Sequence, residues 1–102
     1  MTARIWHGTS PAVKADAYFY LVKRSGVPGY EATPGNQGVY VLHRLEGDQA
    51  HFLTLTFWDW LQAIQEFAGE HVEKAKYYPK DKDFLLEFEP SVAHCEVLSR
   101  PA

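Results

Sequence analysis

The order of elements along this chain predicts an α+β fold of the ferredoxin-like type, β-α-β-β-α-β, with one four-stranded antiparallel sheet. Two β-rich segments around a short turn predict a central hairpin, and segments with helical apolar spacing lie on either side of it. Right-handed crossovers then give the strand order 4-1-3-2, with both helices on one face of the sheet. The other face is bare, and 15% of the residues are aromatic, so we expect a second copy of the chain to cover it.

The first part of the chain predicts a strand, a helix and a long loop. Residues 3–7 favour a strand, with Trp6 and His7 on opposite faces. A hydroxyl at Ser10 and the proline that follows suit the start of a helix over residues 11–24. The apolar stripe of this helix is Val13, Ala17, Tyr20 and Leu21. Residues 25–38 hold four glycines and two prolines, which indicates a loop.

The middle of the chain predicts a β-hairpin. Residues 39–44 and 51–58 are rich in β-branched and aromatic side chains, and Gly47 lies in the turn between them. Along the second arm, alternation places Phe52 and Trp58 on one face and Leu53 and Phe57 on the other. Both faces carry large apolar groups, so we expect both to be covered.

The last part of the chain predicts a second helix and a final strand. Asp59 is a candidate cap for a helix that ends at Gly69. The apolar face of this helix contains Leu61, Ile64, Phe67 and Ala68. A short helix over residues 72–77 is stopped by Pro79, and residues 92–98 alternate as the fourth strand.

Length and charge exclude several classes of protein. The 102 residues suit one domain, 1–102, and the net charge of −3 comes without a basic run that could neutralise phosphates. The chain has no apolar stretch of membrane-spanning length and no signal-peptide pattern at its start. Its single cysteine, Cys95, is expected to be a buried, inert thiol in a reducing compartment. We therefore expect a cytoplasmic protein that binds neither nucleic acid nor membrane.

Histidines and aromatic residues are the candidates for a functional site. The five histidines lack the short spacing of metal-ligand pairs, so no metal is expected. His7 and His94 lie on strands predicted to pair and could flank a pocket, although ordinary hydrogen-bonded sheet histidines are the commoner case. Trp6, Trp58 and Phe67 could line an aromatic pocket, with Tyr77 donating a hydrogen bond into it, or could belong to the core and its walls.

Several segments resemble the antibiotic biosynthesis monooxygenase (ABM) domain family, whose members are dimeric α+β barrels. These segments are ARIWHG, PGNQGVYVLHRLEGD, FLTLTFWDWLQAIQEFAGE and VAHCEV. The resemblance implies a homodimer with a pocket between helices and sheet in each subunit, which some members use for cofactor-independent oxygenation of polycyclic aromatic compounds. In the related haem-degrading branch, an Asn, a Trp and a His act on haem. The matching positions here hold Trp6 or His7, then Phe67, then Tyr77, so haem degradation is not implied.

Two functions follow from the resemblance. The first is a monooxygenase that needs no cofactor and acts on a small aromatic or polycyclic substrate. Its expected site consists of His7, His94 and Tyr77 as substrate-orienting or proton-transferring groups, with Trp6, Trp58 and Phe67 as walls. The second is a non-catalytic small-ligand-binding or stress-related dimer. A cavity of several hundred cubic ångströms that reaches His7 or His94 favours the first, whereas a space filled by Tyr20, Phe67 and Phe84 favours the second.

Overall fold

Four strands and three α-helices form two layers in the computed structural model, which describes residues 1–101. In chain order they are β1 (Thr2–Pro11), α1 (Ala15–Arg24), α2 (Gly26–Ala32), β2 (Asn36–Glu46), β3 (Gln49–Trp58), α3 (Leu61–Ala68) and β4 (Ala93–Glu96). The sheet has the order β2-β3-β1-β4 and every pairing is antiparallel. The predicted ferredoxin-like α+β fold is therefore confirmed. Over the described residues, no helix is both long and apolar enough to span a bilayer.

The two central strands, β1 and β3, pair along their whole length. Their register runs from Thr2 opposite Trp58 to Pro11 opposite Gln49. Strand β1 is thus longer than predicted, because β3 offers partners for its backbone beyond His7. Strand β4 pairs only with the first part of β1. The free edge of β1 is instead met by a coil segment, where the Leu86 amide donates to the carbonyl of Thr9 at 2.9 Å.

Of the apolar stripe predicted for the first helix, only Leu21 is buried, and the other three residues are exposed. The buried residues of α1 are Ala15, Tyr18 and Leu21, while Tyr20 is 61% exposed. Val13 is 95% exposed and lies in a 3₁₀ turn, Ala12–Lys14, before the α-helix begins. A 3₁₀ turn advances the side chains by a different angle from an α-helix, so the face that meets the sheet is rotated from the one that uniform helical spacing indicates.

The loop predicted over residues 25–38 contains a helix, α2. Pro28 lies in the first turn of α2, where its missing N–H would have no partner within the helix. The Thr33 hydroxyl, just after the end of α2, donates to the carbonyl of Gly29 at 2.9 Å. The composition of α2 disfavours a helix, because it is rich in glycine. Burial of Tyr30 against Trp58 and Phe67 stabilises the helix in the folded chain.

Three further local predictions are wrong. Residues 72–77 form no helix, and a 3₁₀ helix, Pro79–Asp83, begins at the proline that was expected to end one. Asp59 does not cap α3, because its carboxylate accepts a hydrogen bond from the side-chain amide of Gln37 at 2.8 Å. Cys95 is exposed, since β4 is the edge strand of the sheet.

The core lies between the helices and one face of the sheet, in two clusters. One cluster packs beneath α1 and contains Trp6, Ala15, Tyr18, Leu21, Ala50, Phe52 and Leu85. The other packs beneath α2 and α3 and contains Tyr30, Trp58, Ala63, Ile64 and Phe67. Strand alternation leaves Leu53 and Phe57 on the opposite face, which we call the open face, as the sequence predicted.

Candidate functional site

The space between the helices and the sheet is nearly filled. The cavity there has a volume of about 30 Å³. Its lining includes Trp6, Tyr18, Tyr30, Lys76, Tyr78 and Asp81. This volume suits an ordered water rather than an aromatic ring. The cavity beneath the helices therefore has no space for a polycyclic ligand. A larger space on this side, about 200 Å³, lies at the edge of the sheet and is lined by Phe19, Val41, Leu42, His43 and Phe52.

All three predicted wall residues belong to the core clusters. Phe67 stacks on Tyr30 with the ring centres 4.2 Å apart, and Trp58 packs against both rings. Trp58 is fully buried, and its indole N–H donates to the Thr56 hydroxyl at 2.9 Å. Trp6 alone among the three lines the small cavity. The space is thus filled by Tyr18, Tyr30 and Phe67, and Tyr20 points away from it.

Burial disfavours the ionised forms of the acidic groups around the small cavity. Burial raises the pKa of Tyr30 to about 12, although the nearby Arg4 guanidinium opposes the shift. Burial also raises the pKa of Tyr78 and of the Asp81 carboxyl, whose Oδ2 accepts the Tyr78 amide at 2.7 Å. The phenols therefore stay protonated near neutral pH and cannot serve as bases there.

His94 lies on the helix side of the sheet, opposite Arg4 in the β1–β4 ladder. Burial first, and then the charge of Arg4, lower the pKa of the His94 imidazole. Its Nε2 atom is buried without a hydrogen-bond partner among the described residues. Because residues 4 and 7 of a strand point to opposite faces, His7 lies on the other side of the sheet. The structure therefore separates the two histidines that the sequence placed at one pocket.

A chain of four side chains crosses the open face near the hairpin. A carboxylate oxygen of Glu89 contacts Nδ1 of His7, and Nε2 of His7 lies 3.0 Å from Nδ1 of His51. Nε2 of His51 then lies 3.4 Å from a carboxylate oxygen of Glu46. We call this set the histidine chain. A carboxylate that orients an imidazole is the arrangement that activates general bases in enzymes.

The histidine chain borders a cavity of about 400 Å³ on the open face. Its lining consists of His7, Leu42, His43, Arg44, His51 and Leu53. A second cavity of about 470 Å³ shares Leu42 with the first and extends over Tyr40, Leu55 and Phe57. Each volume is in the range of small-molecule sites. The open face thus offers a polar compartment beside an apolar one.

Tyr77 is connected to His7 through a residue that the sequence did not single out. The Tyr77 hydroxyl donates to the backbone carbonyl of Glu89 at 2.6 Å, and its ring packs edge-on against Trp6. Burial raises the pKa of this phenol. Two predicted site residues, Tyr77 and His7, therefore meet through Glu89, one at its backbone and the other at its side chain.

Sequence reasoning missed His51 and Glu89. The signal for His51 was present, since the predicted order pairs the first strand with the third, and His51 shares a face with Leu53. The register places Thr9 opposite His51, which makes His7 its diagonal neighbour, within reach of a side chain. Glu89 lies in irregular chain outside the strands, and no pattern in the sequence indicates its position. Among residues 1–101, no cluster of three or more His, Cys, Asp or Glu side chains is placed to hold a metal ion.

Comparison with known proteins supports the fold rather than a particular activity. No family model and no curated protein matches this chain. A crystal structure of a MhuD mutant, with two manganese protoporphyrin IX molecules bound per active site, is similar over 100% of this chain and 99% of that one. The TM-score is 0.63 and the sequence identity 17%. This likeness and the four-stranded antiparallel sheet agree on the ferredoxin-like α+β fold.

Proposed function

We propose that this protein is a homodimeric α+β barrel that oxygenates a small aromatic substrate on the open face of its sheet, without a bound cofactor. The observation that carries the proposal is the histidine chain at the edge of a 400 Å³ cavity. A cavity of several hundred cubic ångströms that reaches His7 is what an enzyme of this kind requires. The sequence predicted this cavity between the helices and the sheet, but the space there measures about 30 Å³. The proposed site therefore lies on the open face instead.

The two cavities on the open face suit the two parts of a phenolic substrate. The apolar compartment, with Tyr40, Leu55 and Phe57, provides contact surface for an aromatic ring. The polar compartment places His7 and His51 where an acidic hydroxyl or C–H group would lie. The structural neighbour MhuD binds manganese protoporphyrin IX in its active site, and this supports binding of a planar aromatic ligand by the same fold.

The proposed reaction draws its electrons from the substrate. An imidazole of the histidine chain removes a proton, and the resulting carbanion or phenolate reduces molecular oxygen as a C–O bond forms. The peroxide oxygen that is not bonded to carbon takes up a proton. Loss of a second proton from the same carbon then expels water and leaves a carbonyl. Overall, one CH₂ group and one O₂ give one C=O group and one H₂O.

A second copy of the chain completes the proposed site. Tyr40, Leu42 and Leu53 are exposed on the open face, although each is large and apolar. No other element of residues 1–101 covers them. A two-fold dimer places the same apolar face of each copy against the other and so removes both from water. Exclusion of water from the cavities also protects a reactive anion from competing protonation.

The alternative function is non-catalytic binding of a small ligand by the same dimer. The close packing beneath the helices favours it, because Tyr30, Trp58 and Phe67 fill the space where a substrate pocket was expected. In this alternative, the open face binds an aromatic ligand and the histidine chain supplies hydrogen bonds only.

Oxygen uptake with anthrone-type phenols tests the proposed function. The wild-type protein should consume one O₂ for each carbonyl formed, and the double variant His7→Ala, His51→Ala should be slower by about 10²–10⁴-fold, the usual contribution of a general base. His71→Ala is the matched control, because His71 also pairs with a glutamate, Glu73, but lies outside both cavities. Equal rates for wild type and the double variant would contradict the proposal. Saturable binding without oxygen consumption would support the alternative.

A further inference from the structure

The histidine chain determines which ring nitrogens carry protons. An ionised carboxylate can only accept hydrogen bonds, so Nδ1 of His7 must donate to Glu89. In the neutral ring, Nε2 of His7 is then an acceptor, and Nδ1 of His51 donates to it across 3.0 Å. Nε2 of the neutral His51 ring is therefore left with its lone pair.

The orientation of the two rings agrees with this assignment. Their centres are 5.3 Å apart, their planes differ by 19°, and the two facing nitrogens are 3.0 Å apart. With the ring centres this far apart and the facing nitrogens this close, the two nitrogens lie between the centres, as an N–H···N hydrogen bond requires. Rings stacked face to face would have closer centres. The pair is thus a hydrogen-bonded dyad, and its only basic nitrogen is at the His51 end.

We infer that Nε2 of His51 is the atom that removes the substrate proton, and that His7 and Glu89 act through it as positioning residues. The inference rests on the proposed function and specifies its base. Both nitrogens of His7 are already engaged, by Glu89 and by His51, so His7 has no lone pair to offer a substrate. His51 lines the same 400 Å³ cavity and has one.

The surroundings of His51 stabilise the proton after its transfer. Before transfer, Nε2 of His51 and the Glu46 carboxylate are two acceptors that face each other at 3.4 Å. A proton on Nε2 converts this contact into a charge-assisted hydrogen bond, so all three contacts of the chain become hydrogen bonds. The Arg44 guanidinium lies 3.4 Å from a carboxylate oxygen of Glu46, and His43 also lines the cavity.

Glu89 is held in position independently of the histidines. The Tyr77 hydroxyl binds the carbonyl of Glu89, and the Tyr77 ring packs edge-on against Phe88 at a centre distance of 4.9 Å. The backbone of Glu89 is therefore anchored by Tyr77, and its side-chain carboxylate contacts His7 on β1. This anchor is a physical reason for Tyr77 to affect the reaction without touching the substrate.

Single variants separate the base from its positioning residues. His51→Ala should lower kcat by about 10²-fold or more, because it removes the base itself. Glu89→Gln should lower kcat less, since the amide oxygen can still accept the His7 proton, and Glu89→Ala should lower it more than Glu89→Gln does. KM should change little in the Glu89 variants, and His71→Ala should match wild type. If His7→Ala abolished turnover while His51→Ala retained it, the inference would be overturned.

A second measurement requires no substrate. Side-chain ¹⁵N spectra of the wild-type protein should show the proton on Nδ1 in both neutral rings, and Glu89→Ala should give a mixture of tautomers at His7 and His51. A proton on Nε2 of neutral His51 would overturn the inference even if oxygen uptake were observed. If the tautomers are as inferred but wild type consumes no oxygen, the proposed function fails and the proton assignment stands.

Discussion

The two faces of the sheet are built by the same strands and have opposite character. On the helix face, Phe52, Thr54 and Trp58 are buried, the cavity beneath the helices holds about 30 Å³, and a space of about 200 Å³ lies at the sheet edge beside Phe19 of α1. On the open face, their strand neighbours Leu53 and Phe57 border cavities of about 400 and 470 Å³. The helix face is largely closed by packing within the chain, whereas the open face has larger cavities bordered by polar side chains.

This difference is the reason that the proposed site lies on the open face rather than beneath the helices, where the sequence predicted it. Aromatic residues on the helix face are needed to stabilise a small core, so tyrosine and phenylalanine fill the space that a ligand would need. Within one chain the open face contributes less to stability, through contacts between neighbouring strands such as that of Tyr40 with Phe57. Its side chains are free to form the histidine chain, which links β1, β3 and the irregular segment that holds Glu89.

The largest expected difference between the faces is in stability. Trp58→Ala should lower the free energy of unfolding by about 3–5 kcal/mol, because it leaves a cavity in the core beneath α2 and α3. Phe57→Ala, one residue away on the open face, should cost about 1 kcal/mol or less, the scale of a cross-strand side-chain pair. Urea unfolding at low protein concentration measures both values. Similar losses at the two positions would show that the open face is packed within the single chain.

The second expected difference is in association. Leu53→Lys should raise the dimer dissociation constant by at least about 100-fold, because it buries a charge in the proposed interface. Light scattering at micromolar concentration should show a dimer for wild type and a monomer for the variant, with an unchanged circular dichroism spectrum. Leu98→Lys is the control, since Leu98 is exposed beyond the end of β4. A monomeric wild-type protein would refute the proposed dimer.

The smallest expected effect concerns the buried carboxyl on the helix face. Because burial raises the pKa of Asp81, the stability that its protonated form provides is full below the ordinary value of 3.8 and is lost as the pH rises through the raised pKa. Asp81→Asn should therefore stabilise the protein near pH 7 by about 0.5–2 kcal/mol, since the amide oxygen can still accept the Tyr78 amide.

The effect of Asp81→Asn should depend on pH in one direction. Its gain in free energy of unfolding should shrink as the pH falls towards 4, where the wild-type carboxyl becomes protonated too. Denaturant unfolding at pH 4, 5.5 and 7 measures this trend. A gain that stays constant, or that grows at low pH, would mean that the buried charge is not its cause.

Particular residues show how much of the site followed from the sequence. Alternation along the strands placed Trp6 and His7 on opposite faces, and the structure agrees, with Trp6 buried and His7 in the open-face cavity. Strand order and crossover handedness brought the first strand beside the third, which is the basis of the contact between His7 and His51. Glu89 could not be foreseen, because its position depends on a coil that binds the free edge of β1 and on the Tyr77 hydroxyl.

Local patterns by themselves determined the order of the four strands along the chain, the hairpin and the two apolar faces of β3, because strand alternation and turn residues act over short stretches of chain. Only the tertiary structure decided which face of α1 meets the sheet, whether residues 26–32 fold as a helix, and how much space remains on each side of the sheet. These outcomes depend on how aromatic side chains from distant segments share one core. The volume they leave is a property of their packing together, which no single segment specifies.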